Sequence, residues 1–93
     1  MSYRVYILRC SDGTYYVGHT DDLEARVRRH NDGRGPAYTR ARRPVTLVHS
    51  EAFATEALAV TRERQLKNWS PAKKEALVRG DRALLRQLSQ SRD

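Results

Sequence analysis

The chain has 93 residues, which is enough for one compact domain and too few for two domains with separate hydrophobic cores. Hydrophobic residues make up 39% of the sequence and charged residues 31%, a balance typical of a small globular domain and not of a disordered chain. Eighteen Lys and Arg against eleven Asp and Glu leave a net charge of +7, which favours polyanionic partners such as nucleic acid.

The sequence also bears on the compartment in which the chain works. No apolar run approaches the roughly 20 residues that a membrane span requires. The first ten residues carry Arg4 and Arg9 where a secretory signal would have an apolar block. Cys10 is the single cysteine, so the chain can form neither an internal disulfide nor a cysteine-based zinc cluster. We therefore expect a cytoplasmic protein that does not enter a membrane.

The first predicted element is a β-hairpin, because aromatic and β-branched segments flank a turn-like sequence at residues 11–14. A two-residue loop would place Tyr6 and Tyr16 on opposite faces. A three-residue loop with a left-handed Gly13 would pair Tyr6 with Gly18 and point both tyrosines the same way. We expect this second register, because it gathers three apolar side chains on the other face: Val5, Ile7 and Val17.

A helix and a basic segment follow the hairpin. Asp21 and Glu24 have the spacing of a capping box, and the pattern predicts a helix over residues 22–31. Residues 33–44 contain two glycines, two prolines and four arginines, which predict an exposed basic loop. Arginine suits bidentate contacts to phosphate, although a solvated basic face or a general bias toward Arg is the alternative explanation. One apolar stripe is expected on the helix: Leu23, Val27 and His30.

The second half of the chain predicts one more strand and three more helices. Ser70 and Pro71 begin a helix, because proline is well tolerated at the first helical position. Gly80 and Asp81 end that helix and begin the last one. We expect a single α/β domain of the α+β kind over residues 1–93, with a small three-stranded antiparallel sheet flanked by helices. The later elements are a strand over residues 45–50 and helices over residues 54–69, 71–79 and 81–90.

Several short motifs occur in a fixed order along the chain. The tripeptide Arg4-Val5-Tyr6 is followed, ten residues after its tyrosine, by the tripeptide Tyr16-Val17-Gly18. Further matching positions are Thr20, Leu23, Arg26, His30, Ala37-Tyr38-Thr39, Arg42-Arg43-Pro44, Glu63 and Leu66-Lys67-Asn68-Trp69. In this order the sequence resembles a GIY-YIG nuclease domain over residues 3–78. The resemblance points to the small single-domain bacterial branch related to Slx-type and UvrC-type nucleases.

The resemblance implies an endonuclease that cuts phosphodiester bonds with one Mg²⁺ or Mn²⁺ ion and leaves a 5′-phosphate and a 3′-hydroxyl. Such chemistry needs a deprotonated water, a counter-charge for the phosphate and help for the departing oxygen. Glu63 matches the metal carboxylate of the family, and its alternative is a helix-surface pair with Lys67. Arg26 matches the arginine that contacts the scissile phosphate. The full set of catalytic candidates is Tyr6, Tyr16, Arg26, His30 and Glu63.

The two tyrosines and the histidine have open alternatives. A free tyrosine has a pKa of about 10, so a tyrosine base needs cations nearby. We expect Tyr16 to be the base and Tyr6 its orienting partner, with ordinary strand packing as the alternative. His30 lies one turn after Arg26, where it either relays a proton, holds a phosphate or packs at the end of the apolar stripe.

The expected nucleic-acid surface surrounds these residues. Gly18 would let the substrate backbone approach closely, unless it only ends its strand. His19 stands where UvrC-type relatives carry a lysine, which weakens the activation of a phenolate. Tyr38 is a candidate for base stacking, whereas Trp69 is expected to anchor the core. The expected nucleic-acid contacts are Gly18, His19, Arg28, Arg29, Arg34, Tyr38, Arg40, Arg42, Arg43 and Lys67.

The expected substrate is DNA in plain, branched, nicked or damaged form, with DNA repair as the setting and RNA as an open alternative. Phosphate contacts position a duplex without reading its bases, so we expect structure preference and little sequence specificity. A protein partner would be one source of further specificity. Two rival interpretations are a nucleic-acid-binding module that cuts poorly and a basic domain that binds an acidic protein.

Overall fold

A computed structural model describes residues 2–90, and the ends of the predicted 1–93 domain lie outside these residues. The described part confirms the α+β class, with one three-stranded antiparallel sheet and helices on both of its faces. None of the helices in residues 2–90 combines the length and apolar character needed to cross a membrane. The elements are β1 (Tyr3–Arg9), β2 (Tyr15–Thr20), α1 (Leu23–Asn31), α2 (Ala37–Arg40), β3 (Thr46–Phe53), α3 (Glu56–Lys67), α4 (Pro71–Arg79) and α5 (Arg82–Gln90).

The β1–β2 hairpin has the predicted three-residue loop. Cys10 N–H donates to the carbonyl oxygen of Thr14 over 2.8 Å, and the loop glycine has a φ of 85°. Tyr6 consequently pairs with Gly18, so that Tyr6 and Tyr16 project from the same face of the sheet. The two-residue alternative is excluded.

The sheet separates two apolar layers. β1 lies in the centre between β2 and β3, so both of its edges are hydrogen-bonded. Trp69 packs against the larger layer, as expected, and full burial of a side chain such as Ile7 contributes about 1.5–3 kcal/mol. The larger layer contains Val5, Ile7, Val17, Ala59 and Leu66, and the smaller layer contains Leu8, Cys10 and Val45 with Tyr16 and Val27 against them. Helices α3 and α4 therefore cover one face, and α1 covers part of the other.

The predicted capping box at the start of α1 is wrong by one residue. Asp22 is the N-cap, and its carboxylate accepts a hydrogen bond from the backbone N–H of Ala25 over 3.1 Å. The physical reason lies just before the helix, where the hydroxyl of Thr20 accepts the N–H of Asp22 over 3.1 Å. This bond keeps the chain extended one residue further, so Asp21 stays outside the helix.

The basic segment over residues 33–44 is only partly the exposed loop that the sequence predicts. It contains α2, a single helical turn, and Thr39 within this turn is completely buried. The hairpin loop also holds the segment, because Arg42 Nε donates to a carboxylate oxygen of Asp12 over 2.9 Å. The segment is thus a fixed part of the domain and not a free loop.

The end of α1 is joined to the start of β3 by one side chain. Asn31 Nδ2 donates to the carbonyl oxygen of Val45 over 3.0 Å, and Asn31 Oδ1 accepts the N–H of Val45 over 2.7 Å. A single amide thus satisfies both backbone groups of a buried residue, much as a neighbouring strand would. The clamp fixes where the chain enters β3.

We expect Asn31→Ala to lower the free energy of unfolding by about 1–3 kcal/mol, because both Val45 backbone groups lose their partner. Asn31→Asp should cost less, since a carboxylate still accepts the Val45 N–H. Chemical denaturation measures both, with Asp32→Ala at the adjacent exposed position as the control. Equal stability of Asn31→Ala and the control would contradict this role.

Candidate active site

The two predicted motif tyrosines lie side by side on the α1 face of the sheet. Their ring centroids are 6.4 Å apart, with an edge-to-face angle of 69°. Tyr6 is buried and Tyr16 is half-buried, so only Tyr16 offers a substantial surface to solvent. Tyr6 and Tyr16 belong to different strands. The hairpin register brings their side chains together, because it places both residues on the same face of the sheet.

Gly18 has a different role from the one that the sequence predicts. A Cβ atom at this position would lie 2.5 Å from the hydroxyl oxygen and 2.7 Å from Cζ of Tyr6. The space left by the missing side chain is therefore filled by the ring of Tyr6. A substrate backbone cannot approach there, so the assignment of Gly18 as a nucleic-acid contact is corrected.

His30 lies behind the tyrosines and is completely buried. Its Nε2 is 2.8 Å from the Tyr6 hydroxyl oxygen, and its Nδ1 is 2.9 Å from the hydroxyl oxygen of Thr39. Burial lowers the pKa of His30, and the charge of Arg26 lowers it further. His30 is therefore neutral and does not reach a phosphate, which removes that expectation and leaves a role behind Tyr6.

Burial dominates the ionisation of both phenols. It raises the pKa of Tyr6 to about 12, with Tyr16 adding to the effect, while a hydrogen bond from Arg26 and its charge act in the opposite direction. Burial also raises the pKa of Tyr16, against the charges of Lys67 and Arg26 and together with that of Glu63. Both phenols are neutral at pH 7, and Tyr16 has two cations close enough to favour its phenolate.

Glu63 faces the tyrosines from α3 across the β2 edge of the sheet. One carboxylate oxygen lies 2.6 Å from His19 Nδ1, and the other lies 2.9 Å from Lys67 Nζ. Burial raises the pKa of Glu63, but the hydrogen bonds from Lys67 and His19 outweigh it, so the pKa lies below its usual value. Glu63 is thus an ionised, mostly buried carboxylate, and it also makes the helix pair with Lys67 that was the alternative explanation.

The donor set around Glu63 determines whether a metal ion fits. Within residues 2–90 no three His, Cys, Asp or Glu side chains are grouped so that they could hold a metal. A single carboxylate fits Mg²⁺ or Mn²⁺ when waters and phosphate oxygens complete the coordination. Lys67 is half-exposed and can move off the carboxylate, so the residues fit an ion that enters together with a phosphate.

The arginines of the basic segment fall into two classes. Arg42 is held by Asp12 and by the carbonyl oxygen of Tyr38, and Arg43 donates to the carbonyl oxygens of Arg40 and Asn31. Both side chains are therefore engaged within the fold, and their assignment as nucleic-acid contacts stays a prediction. The catalytic candidate Arg26 is exposed on α1, and four other predicted contacts are exposed on α1, on α2 and between them: Arg28, Arg29, Arg34 and Arg40. Of these, Arg28 makes a loose pair with Glu24 at 3.6 Å.

Tyr38 stands at the edge of the tyrosine pair. Its ring centroid is 6.3 Å from that of Tyr16, and the guanidinium of Arg42 lies 3.9 Å from its centroid. One face of Tyr38 is thus covered by a cation, so base stacking is restricted to what the other face offers.

No motif in the sequence indicates Lys74, which lies close to Tyr16. A groove of about 330 Å³ runs beside Tyr16 and Tyr38, and Lys67 and Lys74 lie on its walls. Burial lowers the pKa of Lys74.

A larger groove of about 690 Å³ lies elsewhere, between Leu47 and the acidic start of α1, and contains none of the catalytic candidates. Sequence spacing could not reveal Lys74, because its place depends on how α4 packs against the hairpin. The smaller groove is lined by Tyr15, Tyr16, Val17, Tyr38, Lys67 and Lys74.

Comparison with known proteins gives consistent matches along nearly the whole chain. Residues 2–76 match the family model of the GIY-YIG catalytic domain. A UPF0213 protein of Halobacterium salinarum is 52% identical, with 81% of this chain and 97% of that protein covered. A UPF0213 protein of Staphylococcus aureus is 45% identical, with 84% and 95% covered.

Solved structures agree with the fold. The solution NMR structure of a UPF0213 protein from Bacillus halodurans has a TM-score of 0.55 at 44% identity, covering 84% of this chain and 83% of that one. The solution NMR structure of a protein from E. faecalis has a TM-score of 0.59 at 35% identity, covering 86% and 85%. Both matches confirm the small sheet and its helices.

We expect Gly18→Ala to lower the free energy of unfolding by about 1–3 kcal/mol, because the new methyl group overlaps the Tyr6 ring. In a Tyr6→Leu background the same change should cost close to nothing, since the overlapping atoms are gone. A double-mutant cycle by chemical denaturation measures the difference. Equal costs in the two backgrounds would show that the glycine is required for another reason.

Proposed function

The chain belongs to the family of GIY-YIG catalytic domains, and on this premise we propose that it is a metal-dependent endonuclease that hydrolyses phosphodiester bonds in DNA. The family is one of nucleases, so its substrates are nucleic acids. The observation that carries the proposal is that the Lys67 ammonium lies 2.9 Å from the ionised Glu63 carboxylate and 6.0 Å from the Tyr16 ring centroid, which brings the carboxylate close to the tyrosine pair. Tyr16 lies within electrostatic reach of both Arg26 and Glu63, which come from different elements on the two faces of the sheet.

Arg26 is the residue proposed to bind the scissile phosphate. It is exposed on α1, and its charge acts on Tyr6, Tyr16 and His30. A guanidinium donates two parallel hydrogen bonds to two non-bridging oxygens, and it stabilises the charge that builds up there as water attacks phosphorus. No acidic side chain is paired with Arg26 in residues 2–90, so this charge is available to a substrate.

Tyr16 is the proposed general base. It is the more exposed of the two phenols, and Lys67 Nζ lies 6.0 Å from its ring centroid. Arg26 and Lys67 are the cations that favour the phenolate, which then accepts a proton from the attacking water. Tyr6 and His30 pack edge-on against Tyr16 and orient its ring, with the centroid of His30 5.2 Å away.

Glu63 would hold the Mg²⁺ or Mn²⁺ ion, which when bound supplies positive charge to the phosphate oxygens and to the departing oxygen. His19 keeps the carboxylate directed across the β2 edge. Lys67 is released from Glu63 in the loaded site and is then free to contact the DNA backbone. His19 serves the carboxylate and not the phenol, so it does not replace the lysine of UvrC-type relatives as an activator of tyrosine.

The proposed substrates are nicked, branched or damaged DNA, with cleavage that depends on structure more than on sequence. The exposed arginines contact phosphates, which carry no sequence information. We place the activity in the cytoplasm and in DNA repair. In support of a reducing compartment, Cys10 is a buried free thiol. RNA is included as a substrate in the test below. A protein partner that adds specificity is a further part of the proposal.

We expect Glu63→Gln to bind DNA about as well as the wild type and to lose Mg²⁺-dependent cleavage by about 100-fold or more. The measurement is a nicking assay on flap, splayed, nicked and plain duplexes and on RNA, with Mg²⁺, Mn²⁺ or EDTA. Glu56→Gln is the matched control, because Glu56 also contacts His19, at 3.4 Å, but is exposed.

The outcome separates the two main interpretations. Loss in Glu63→Gln together with full activity in Glu56→Gln supports catalysis. Equal residual activity in the wild type and Glu63→Gln would identify the chain as a nucleic-acid-binding module with the same fold, and the proposed reaction would be abandoned.

A salt titration tests the division of the arginines. We expect Arg40→Gln to weaken DNA binding equally across sequences and to reduce the slope of log affinity against log salt by about 1. Arg42→Gln removes the same charge but should leave this slope nearly unchanged, because Arg42 is engaged with Asp12 and Tyr38. Fluorescence anisotropy from low to moderate salt measures both. A wild-type affinity that does not depend on salt would favour the acidic-protein interpretation.

A further inference from the structure

A chain of hydrogen bonds runs behind the tyrosines from α2 to Tyr6. The hydroxyl of Thr39 donates to the carbonyl oxygen of Pro36 over 3.2 Å. The same hydroxyl oxygen is 2.9 Å from Nδ1 of His30, and Nε2 of His30 is 2.8 Å from the hydroxyl oxygen of Tyr6. The three side chains are almost completely shielded from solvent, so no bulk water competes for these bonds.

The direction of every bond in this chain follows from its first member. A threonine hydroxyl has one hydrogen, and a carbonyl oxygen can only accept. With the hydroxyl hydrogen of Thr39 on Pro36, the Thr39 oxygen accepts the hydrogen on Nδ1 of His30; the tautomer measurement below decides between this direction and its reverse. A neutral histidine then has a lone pair on Nε2, so Tyr6 donates its hydroxyl hydrogen to His30.

The far end of the chain meets Arg26. With its hydrogen committed to His30, the oxygen of Tyr6 presents only lone pairs toward the site. The charge of Arg26 is close enough to Tyr6 to lower the pKa of the phenol, so these lone pairs face a cation. In the opposite arrangement the hydroxyl hydrogen of Tyr6 would be free to point at this cation, which is less favourable.

We propose that Thr39 is a positioning residue of the nuclease site: its hydroxyl fixes the tautomer of His30, which turns the lone pairs of the Tyr6 oxygen toward Arg26. This rests on the proposed function, because the benefit of holding Arg26 is a correctly oriented phosphate contact. Thr39 acts through two other side chains and touches no substrate.

The surroundings of Thr39 support a role beyond packing. A Cβ atom at Gly35 would lie 2.7 Å from Nδ1 of His30 and 3.0 Å from the hydroxyl oxygen of Thr39. Glycine at this position therefore lets the backbone close directly over the bond between the two side chains. Thr39 also lies between Tyr38 and Arg40 on α2. The helical turn proposed to contact the DNA therefore also carries the hydroxyl group that acts on His30.

The first test needs no substitution. In the wild-type protein, long-range ¹H–¹⁵N correlation NMR reports which ring nitrogen of His30 carries the hydrogen. We expect the Nδ1–H tautomer at neutral pH. An Nε2–H tautomer would overturn the proposal, because Tyr6 could then not donate to His30.

The second test uses Thr39→Val, which keeps the size of the side chain but cannot accept from Nδ1–H. We expect the His30 tautomer to change, the side-chain NMR signals of Arg26 to show faster guanidinium rotation, and kcat on DNA to fall about tenfold with little change in KM. Thr39→Ser should restore all three readouts to within about twofold. Arg40→Gln is the adjacent control, which should raise KM and leave the tautomer unchanged.

The outcomes distinguish this proposal from the proposed function. If the wild type does not cleave DNA, the nuclease function fails, while the tautomer and the Arg26 signals still decide the role of Thr39. An unchanged tautomer in Thr39→Val, or no recovery in Thr39→Ser, overturns that role. If Thr39→Val does not fold, the wild-type measurement decides. Gly35→Ala then serves as the second variant, because its methyl group should disturb the same bond.

Discussion

The whole site depends on the pairing of Tyr6 with Gly18 in the hairpin. A shift of one residue would turn every side chain of β2 to the opposite face, so Tyr16 would enter the layer under α3. The three-residue loop fixes the register. Gly18 then leaves the space into which the ring of Tyr6 turns. The backbone conformation of the loop thus determines that both phenol rings lie on the same face of the sheet.

This register was predictable because it offered two alternatives and only one of them segregated the apolar residues. The clamp of Asn31 on Val45 was not, since an amide can join any two backbone groups that the fold brings near it. Asp21 illustrates a different limit. Its spacing to Glu24 met the capping pattern, but a local bond between Thr20 and Asp22 moved the helix start by one residue. Local patterns predicted the elements, a local bond outside the capping pattern decided where α1 begins, and a contact distant in sequence decided where β3 begins.

The arginines show the same limit at the level of function. Net charge and composition assigned Arg40 and Arg42 equally to DNA, although one is exposed and the other joins α2 to the hairpin loop. A guanidinium has five donors whether its partner is a phosphate, a carboxylate or a carbonyl oxygen. Composition therefore establishes that a surface is basic, and only the partners of each side chain establish which cations a ligand can use.

The charges around Glu63 can be balanced both in the free protein and in the proposed complex with DNA. Glu63 is mostly buried, and an isolated anion there would be costly, so Lys67 and His19 compensate it in the free protein. In the proposed reaction a phosphate would offer Lys67 a second anion close to Tyr16, and Glu63 would then be compensated by the divalent cation that it holds. The ammonium then moves from the carboxylate to the DNA without leaving a buried charge unpaired. From the sequence, the helix pair between Glu63 and Lys67 was the alternative to a catalytic role. In the proposed reaction the two are compatible, because the pair is the state of the site before DNA binds.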